Sequence, residues 1–578
     1  MVLVSLNRRI HKINNSHIPT LTWKITLRRE WSSKGMQAAS HLFERRFFLA
    51  FRRALSISCS SQHLLSPTTL RFSTQVTDVS ESIKEEEIRY SARTIGGEES
   101  TREDKEEAPR SLCGRIEKLE RGDPVGSAFQ SWMGDGFPIH RGDIFHTINR
   151  LRKRKFNKRA LEVMEWVIRE RPYMPKQLDY SFLLEFTAKL HGIPQGEKLF
   201  SHIPSEFQDE LLYNNLVMVC LDKGMIRLSL AYMKKMRELG HSISYMVFNR
   251  LIILHSSPSR RKSIPKILTQ MKADKVSRHV STYNILLKME ANQHNIHGLN
   301  KVFDDMNHAN VEPNEITFCI IATAHAVARL YTACETYIEE IEKSMTGKNW
   351  STLDILVILY GYLKKSKDLE RTWRIIQEQP RVKSKSYVLA IEAFGRIGDV
   401  NRGEEIWSEM KSNYEMKSTE MFNCLISVYC RRGCISKATG LYREMETYGC
   451  KANSITFRHL VVGCLKAGLK KEALKTMELG MGVMTSSSVK RSTPWMETGY
   501  EMLEVFAEIG DVENAEKVFD ELTKGNYAKY TFVYNALIKC YVKAKVCDSN
   551  LLKRMILGGS RPDSETYSLL KVLEQFRR

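Results

Sequence analysis

Twelve cysteines and a scatter of carboxylates are the residues of this 578-residue chain with the most evident chemical capacity. Thiolates held close together bind zinc or close a disulfide, and a positioned carboxylate moves a proton to or from a substrate. The spacing supports neither. No CxxC pair occurs, and Cys430 and Cys434 stand as neighbours on a turn rather than as a zinc knuckle. Cys220, Cys319, Cys424, Cys464 and Cys540 fall in apolar stretches of helical spacing, where a reduced thiol packs as a small hydrophobe. Glu404 and Glu405 read as a solvated helix face, and no acid/base constellation recurs at a cleft. No catalytic, metal-binding or cofactor-binding residue is expected, and the chain is not expected to be an enzyme.

Charge is the remaining chemistry, and it is unevenly distributed. The formal net charge is +21, of which residues 1–77 carry +10, residues 78–107 carry −6 and residues 108–578 carry +17. The first segment is rich in Arg and Ser, almost free of acids, and contains the run "HLFERRFFLAFRRALS". It matches an organellar import peptide, with "LRFSTQ" at 70–75 resembling a matrix-processing site, so a mitochondrial matrix location is expected and chloroplast import is the alternative. The acidic stretch at 78–107 has too few apolar residues to offset its ordering entropy and reads as a disordered linker. No run approaches the roughly 18 apolar residues of a membrane span, so no membrane insertion is expected.

The elements that position any functional residue are repeated. Phe422 and Phe457, Leu425 and Leu460, Gly433 and Gly468, and Ala438 and Ala473 are all offset by 35. Extending that frame places units at about 141, 177, 210, 245, 280, 315, 350, 384, 419, 454, 496 and 531, with a half unit from 564 and a lead-in helical segment at 108–140. Each unit holds two apolar stretches of helical spacing, as in Phe422, Leu425, Ile426 and Tyr429 followed by Ala438, Leu441, Tyr442 and Met445. Gly224, Gly398, Gly433, Gly468 and Gly510 fall between them, where the chain must reverse. One such pair cannot cover its own apolar stripe, so neighbours must stack on a shared core. Two irregularities are expected. Seven extra residues around "MTSSSVKRSTP" enlarge one loop, and "SSPSRRKSIP" replaces the turn glycine of the unit at 245, with Pro265 confined to a first helical turn.

A 35-residue helical pair with "TYN" or a variant opening its first helix, glycine at the turn and "PN" or "PD" at the close resembles the pentatricopeptide repeat family. "VSTYNILLKM", "KVFDDMNHANVEPN" and "TFVYNALIKCYVK" with "RPD" carry the motif most fully, and the resemblance covers about 141–578. The segment "RIEKLERGDPVGSAFQSW" is similar to the lead-in of the plain, P-type plant organellar class. The resemblance implies an all-α, right-handed α-solenoid that binds single-stranded organellar RNA and takes neither a cofactor nor a small-molecule substrate.

In that family the first helix of each unit lines the inner groove. Two residues read one base: the residue after the helix aromatic and the last residue of the unit. Carried over, Asn284 with Asn314 and Asn423 with Asn453 resemble pyrimidine pairs, cytosine first, and Asn535 with Asp563 resembles the uracil pair. Asn214 with Ser244 and Ser181 with Asp209 are weaker matches. Asn249 with His279, Cys319 with Asn349, Asp354 with Lys383, Val388 with Ser418, Arg458 with Ser488, Tyr500 with Tyr530 and Phe145 with Lys176 depart from the pattern. Asparagine also caps helices, which is the competing reading of these positions.

Lys153, Arg396, Arg431, Lys466 and Lys543 recur in phase near the end of the first helix and suit phosphate contacts. At the second position, Leu211, Met246, Ile316, Ile455 and Phe532 suit sandwiching of a base, whereas Lys385, Glu420 and Glu497 do not. Two functions follow as expectations: an RNA-binding protein that acts by occupying its transcript, or an accessory component of the mitochondrial ribosome or protein-binding scaffold.

Overall fold

The computed structural model describes residues 111–576 apart from 121, 258, 346–349 and 484–488. The import-peptide and linker segments, and the pair members Asn349 and Ser488, lie outside the described residues. Every regular element among the described residues is a helix. First helices begin at Arg141, Gln177, Glu210, Tyr245, Val280, Glu315, Trp350, Ser384, Thr419, Ser454, Thr493, Thr531 and Ser564, and all but the last are followed by a second helix. The helix Thr493–Ile509 starts ahead of the 35-residue frame because Pro494 sits in its first turn, where a missing N–H costs nothing. The unit at 245 has a first helix of only ten residues, Tyr245–Leu254. A single-turn 3-10 segment, Arg261–Ser263, then leads into the second helix, with Pro265 in its opening turn.

The reversal between the two helices uses one backbone device in most units. A residue with positive φ follows the first helix, and the next N–H bonds back five residues. Cys434 N–H donates to Tyr429 O at 2.9 Å beyond Gly433, and Leu330 N–H donates to His325 O at 2.9 Å beyond Arg329. Glycine is therefore the cheapest occupant but not a requirement. Lys155, His294, Arg329, Lys364 and Lys545 take up positive φ at the same place, between 52° and 61°, at about 1 kcal/mol each in steric cost.

The described residues form two compact units. One comprises Ala291–Ile296 and residues from Ile321 onward, and the other comprises the chain up to Glu290 with His297–Ile320. In the second, Leu112, Ile116, Phe129, Ile148, Leu151, Met164 and Phe186 share one core, and Phe129 stacks on Trp166 with ring centroids 3.8 Å apart. In the first, each first helix packs on the first helix of the next unit, from Trp350–Leu363 through Ser384–Ile397, Thr419–Arg431, Ser454–Lys466, Thr493–Ile509 and Thr531–Ala544 to Ser564–Glu574. These first helices make a continuous layer.

Small residues set how close that layer packs. A Cβ added at Gly395 would lie 2.3 Å from Val428 Cγ2 of the neighbouring first helix. Gly395→Ala is expected to destabilise the chain by about 1–3 kcal/mol, because Val428 has no room to yield in a packed layer. Gly440→Ala, on a second helix with nothing within 4 Å, is expected to stabilise by about 0.5–1 kcal/mol. Urea midpoints of the two variants check both signs together.

Candidate functional site

The local chemistry that builds the candidate sites is helix capping. In "NEIT" at 314–317, "NSIT" at 453–456 and "DSET" at 563–566 the residue before a first helix accepts from the N–H three residues on, and the threonine hydroxyl accepts from the N–H of the cap. Thr317 N–H donates to Asn314 Oδ1 at 3.0 Å, Thr456 N–H to Asn453 Oδ1 at 3.0 Å and Thr566 N–H to Asp563 Oδ1 at 2.8 Å. The returning bonds, from the cap N–H to Thr Oγ1, are 3.1 Å in all three.

Onto each cap the preceding unit adds its asparagine. Thr317 Oγ1 donates to Asn284 Oδ1 at 2.7 Å, Thr456 Oγ1 to Asn423 Oδ1 at 2.8 Å and Thr566 Oγ1 to Asn535 Oδ1 at 2.7 Å. The asparagine amides donate in turn: Asn284 Nδ2 to Asn314 Oδ1 at 3.2 Å, Asn423 Nδ2 to Asn453 Oδ1 at 3.3 Å and Asn535 Nδ2 to Asp563 Oδ1 at 3.1 Å. The structure thus brings together the members of all three clear pairs and inserts a fully buried threonine between them. The hydroxyl fixes which way each amide faces, since Oδ1 must point at it.

What each triad leaves uncommitted differs. Nδ2 of Asn314 and of Asn453 donates to nothing among the described residues, so these triads present N–H donors. In the third, the cap is a carboxylate, and Asn535 Nδ2 reaches both of its oxygens, at 3.1 and 3.4 Å. Burial works to raise the Asp563 carboxyl, but the hydrogen bonds from Thr566 and Asn535 outweigh it and hold the group below its ordinary range. Asn535 Nδ2 also donates to Glu565 Oε2 at 3.0 Å, and Glu565 pairs with Lys539 at 2.6 Å, so a second acid crowds this site.

The weaker pairs behave otherwise. Asn214 Nδ2 donates to Glu210 O at 2.8 Å and to Ser242 O at 3.0 Å, and its Oδ1 accepts from Ser244 N–H at 2.8 Å, so the amide closes the local backbone. Ser181 Oγ accepts from Asn215 Nδ2 at 2.7 Å, and Asp209 caps its helix through Leu212 N–H at 3.1 Å; no bond joins Ser181 to Asp209. Arg458 holds the fold together instead of facing a ligand. Its guanidinium lies 3.4 Å from the Trp495 ring centroid, donates to Trp495 O at 2.5 Å and pairs with Glu521. Burial pushes its pKa down to about 10 against the pull of Glu521. Phe532 is half-buried, with the Arg329 guanidinium 4.4 Å from its ring and Tyr530 stacked on it at 5.4 Å.

The five in-phase cations split into two groups. Lys153, Lys466 and Lys543 are exposed, and Lys466 Nζ donates only to Arg431 O, at 3.1 Å, among the described residues. Arg396 and Arg431 are mostly covered and ion-paired, to Glu497 at 2.6 Å and to Glu501 at 2.9 Å. Those two acids and the three threonines are site residues that a reading by pairs passes over. The threonines were legible as Asx-x-x-Thr caps, whereas nothing local marks the acids.

Thr456→Val, which keeps the shape and removes the hydroxyl, is expected to cost about 1–3 kcal/mol by leaving Asn423 Oδ1 unpaired. Thr456→Ser is expected to recover most of it. Thermal unfolding of the two variants tests the assignment.

A model of the PPR repeat family matches residues 278–326 and 417–466, and a PPR repeat model matches 212–241 and 385–414. The first two spans contain the two complete Asn–Asn–Thr triads. A mitochondrial pentatricopeptide repeat-containing protein of Arabidopsis thaliana is 63% identical over 471 residues, covering 82% of this chain and 88% of that protein. A second mitochondrial pentatricopeptide repeat-containing protein of Arabidopsis thaliana is 26% identical, covering 78% of this chain and 75% of its own length. Among solved structures, the pentatricopeptide repeat protein PPR10 in complex with an 18-nt psaJ RNA element aligns with 81% of this chain and 77% of its own, at 13% identity and a TM-score of 0.38.

Proposed function

Because this chain belongs to the pentatricopeptide repeat family, we propose that it is a non-catalytic, single-stranded RNA-binding protein of the P-type class, acting in mitochondrial RNA metabolism by occupying its transcript. The observation that carries this reading is the pair of complete triads at Asn284, Asn314, Thr317 and at Asn423, Asn453, Thr456. Each presents an amide N–H that nothing among the described residues uses, and each fixes the orientation of that amide.

The chemistry of the uncommitted atoms sorts the bases. Cytosine offers an acceptor at N3, which suits the Nδ2 donor of Asn314 or Asn453; uracil offers an N3–H donor, which suits the carboxylate of Asp563. A duplex would hide these edges, so the ligand is single-stranded. Lys153, Lys466 and Lys543 supply exposed cations for phosphates, and the +17 charge of residues 108–578 adds a sequence-independent attraction. Mitochondrial import is supported by the Arg-rich, acid-poor leader and by the 63% identical relative, itself a mitochondrial protein. Occupancy suffices for an effect on stability, processing, splicing or translation.

A second reading, an accessory component of the mitochondrial ribosome, is favoured by one observation: only two triads keep an unused donor among the described residues, and Arg458 and Asn214 are committed to structure. The experiment is purification of the tagged chain from mitochondria after RNase treatment. One short protected RNA carrying pyrimidines supports transcript-specific binding. Dispersed ribosomal RNA fragments with ribosomal proteins replace it with the second reading.

A further inference from the structure

Tyr362, Arg396 and Arg431 occupy the same place, the end of the first helix, in three consecutive units. One later helix returns to all three. Thr493–Ile509 carries Glu497 and Glu501 one turn apart on one face. Glu497 accepts from Arg396 Nη2 at 2.6 Å and from the Tyr362 hydroxyl, and Glu501 accepts from Arg431 Nε at 2.9 Å. The Arg396 guanidinium also lies 4.1 Å from the centre of the Tyr362 ring. The two arginines keep 17% and 16% of their side-chain surface, so the carboxylates take most of the place a ligand would use.

Cohesion alone is a poor explanation of this cluster. Removing two ion pairs from water costs about as much as their attraction returns, and an apolar seam of the same size would hold the helices at least as well. The pairing is also incomplete: Arg431 Nη1 and Glu501 Oε2 are buried and bonded to nothing among the described residues. Of the cations at the same place in other units, Lys153, Lys466 and Lys543 have no described acid over them, and Lys189 is met only by Glu185 of its own helix. Among the described residues at this place, carboxylates from a later helix sit on the two arginines, and guanidinium is the side chain best matched to two oxygens of a carboxylate or of a phosphate.

We propose that Arg396 and Arg431 form a two-phosphate seat that the RNA-free protein keeps closed with Glu497 and Glu501, and that single-stranded RNA enters there by displacing these carboxylates. The proposal rests on the RNA-binding reading. The acids act as a competitor built into the chain. A backbone that supplies two phosphates at the right spacing replaces both, whereas an isolated anion replaces one and leaves the other holding. Thr493–Ile509 packs on its neighbours Ser454–Lys466 and Thr531–Ala544, so it can release its hold on the three earlier helices while staying in the stack.

The test uses the full chain, a fluorescent oligocytidylate and fluorescence anisotropy. Glu497→Gln with Glu501→Gln keeps the acceptors, removes the charges and is expected to tighten binding about tenfold, in the range of ordinary coupling between sites. Arg396→Gln with Arg431→Gln is expected to weaken binding and to lower the slope of log affinity against log salt by about 1.4. If the double glutamine variant loses helical circular dichroism, spin labels on Ser384–Ile397 and Thr493–Ile509 of the otherwise wild-type chain provide the reading: the distance between them is expected to lengthen when oligocytidylate is added. Unchanged or weaker binding by a folded Glu497→Gln, Glu501→Gln variant, or an unchanged spin-label distance at saturating RNA, overturns the closed seat and leaves the functional reading intact. No binding by wild type or by any variant overturns both.

Discussion

Replacing Asn284 and Asn423 together with alanine is expected to weaken binding of a cytosine-containing target by roughly a hundredfold or more while the helices remain intact. One well-oriented hydrogen-bonded base contact is worth about 1–3 kcal/mol, so two independent contacts multiply to that range. The loss has two sources. Each asparagine orders the cap through its Nδ2 bond to Asn314 or Asn453, and under the proposed function each orients the amide assigned to the base edge. The threonine hydroxyl keeps a second acceptor within 3.0 Å, on the cap asparagine, so the fold loses only about 1 kcal/mol per site. Binding to oligocytidylate and to a purine oligomer of the same length separates the contributions. A drop confined to the cytosine target is the expected result, and an equal drop on both would refute base reading at these sites.

The second large effect is a loss of stability in mild acid. His459 is 7% exposed, and burial, helped by Arg431, Arg396 and Arg458, pushes its pKa down to about 3. His294 is 4% exposed, accepts or donates at Nδ1 to the Tyr530 hydroxyl 3.2 Å away, and is pushed down to about 4 by burial, with Glu497 opposing and Lys529 assisting. In the unfolded chain both titrate near 6.5. The unfolded state therefore binds these protons first. Stability is complete above about pH 6.5 and is lost as the pH falls toward the folded values. At pH 5 the two histidines together cost about 4 kcal/mol relative to pH 7.5.

The carboxylates held below their ordinary range, Glu404, Asp511, Glu516 and Asp563, lose their contribution only in stronger acid, below their unfolded values. Glu392, held up by burial, acts with the opposite sign because the folded state binds its proton more readily. Urea midpoints at pH 7.5 and pH 5 for wild type, His459→Gln and His294→Gln test this. Each substitution is expected to remove about 2 kcal/mol of the acid sensitivity, to which His325, also buried and pushed down by burial, adds with the same sign, and a wild-type midpoint that does not move would exclude neutral buried histidines at both places.

The period of 35, the paired helices and the turn between them are visible in the chain because each is decided within a few residues. Apolar spacing selects the helix, an Asx-x-x-Thr cap starts it, and a positive-φ residue ends it. The triads lie at the edge of that range. Asn284 and Asn314 are 30 residues apart, but the repeat converts that separation into adjacency, so a pairing rule applied in register finds both members. The threonine between them escapes such a rule although "NEIT" and "NSIT" spell its cap, because a capping residue does not look like part of a ligand site.

The replacement of the turn glycine by Arg329 or His294 is similar. The sequence shows a missing glycine, while the structure shows that the positive φ persists and that the larger side chain has a use of its own, over Tyr500 and Phe532 or against Tyr530.

What the sequence by itself determined is therefore the unit: its helices, its caps, its register and the asparagines the register pairs. Only the tertiary structure decided which of those polar groups remain available. Arg396 meets Glu497 across 101 residues, Arg431 meets Glu501 across 70 and Tyr362 meets Glu497 across 135. None of these separations is coded by the repeat, because they depend on how the rotation from each unit to the next accumulates over several units. That rotation is set by small contacts such as Gly395 against Val428, each too slight to read from a pattern and all additive along the stack.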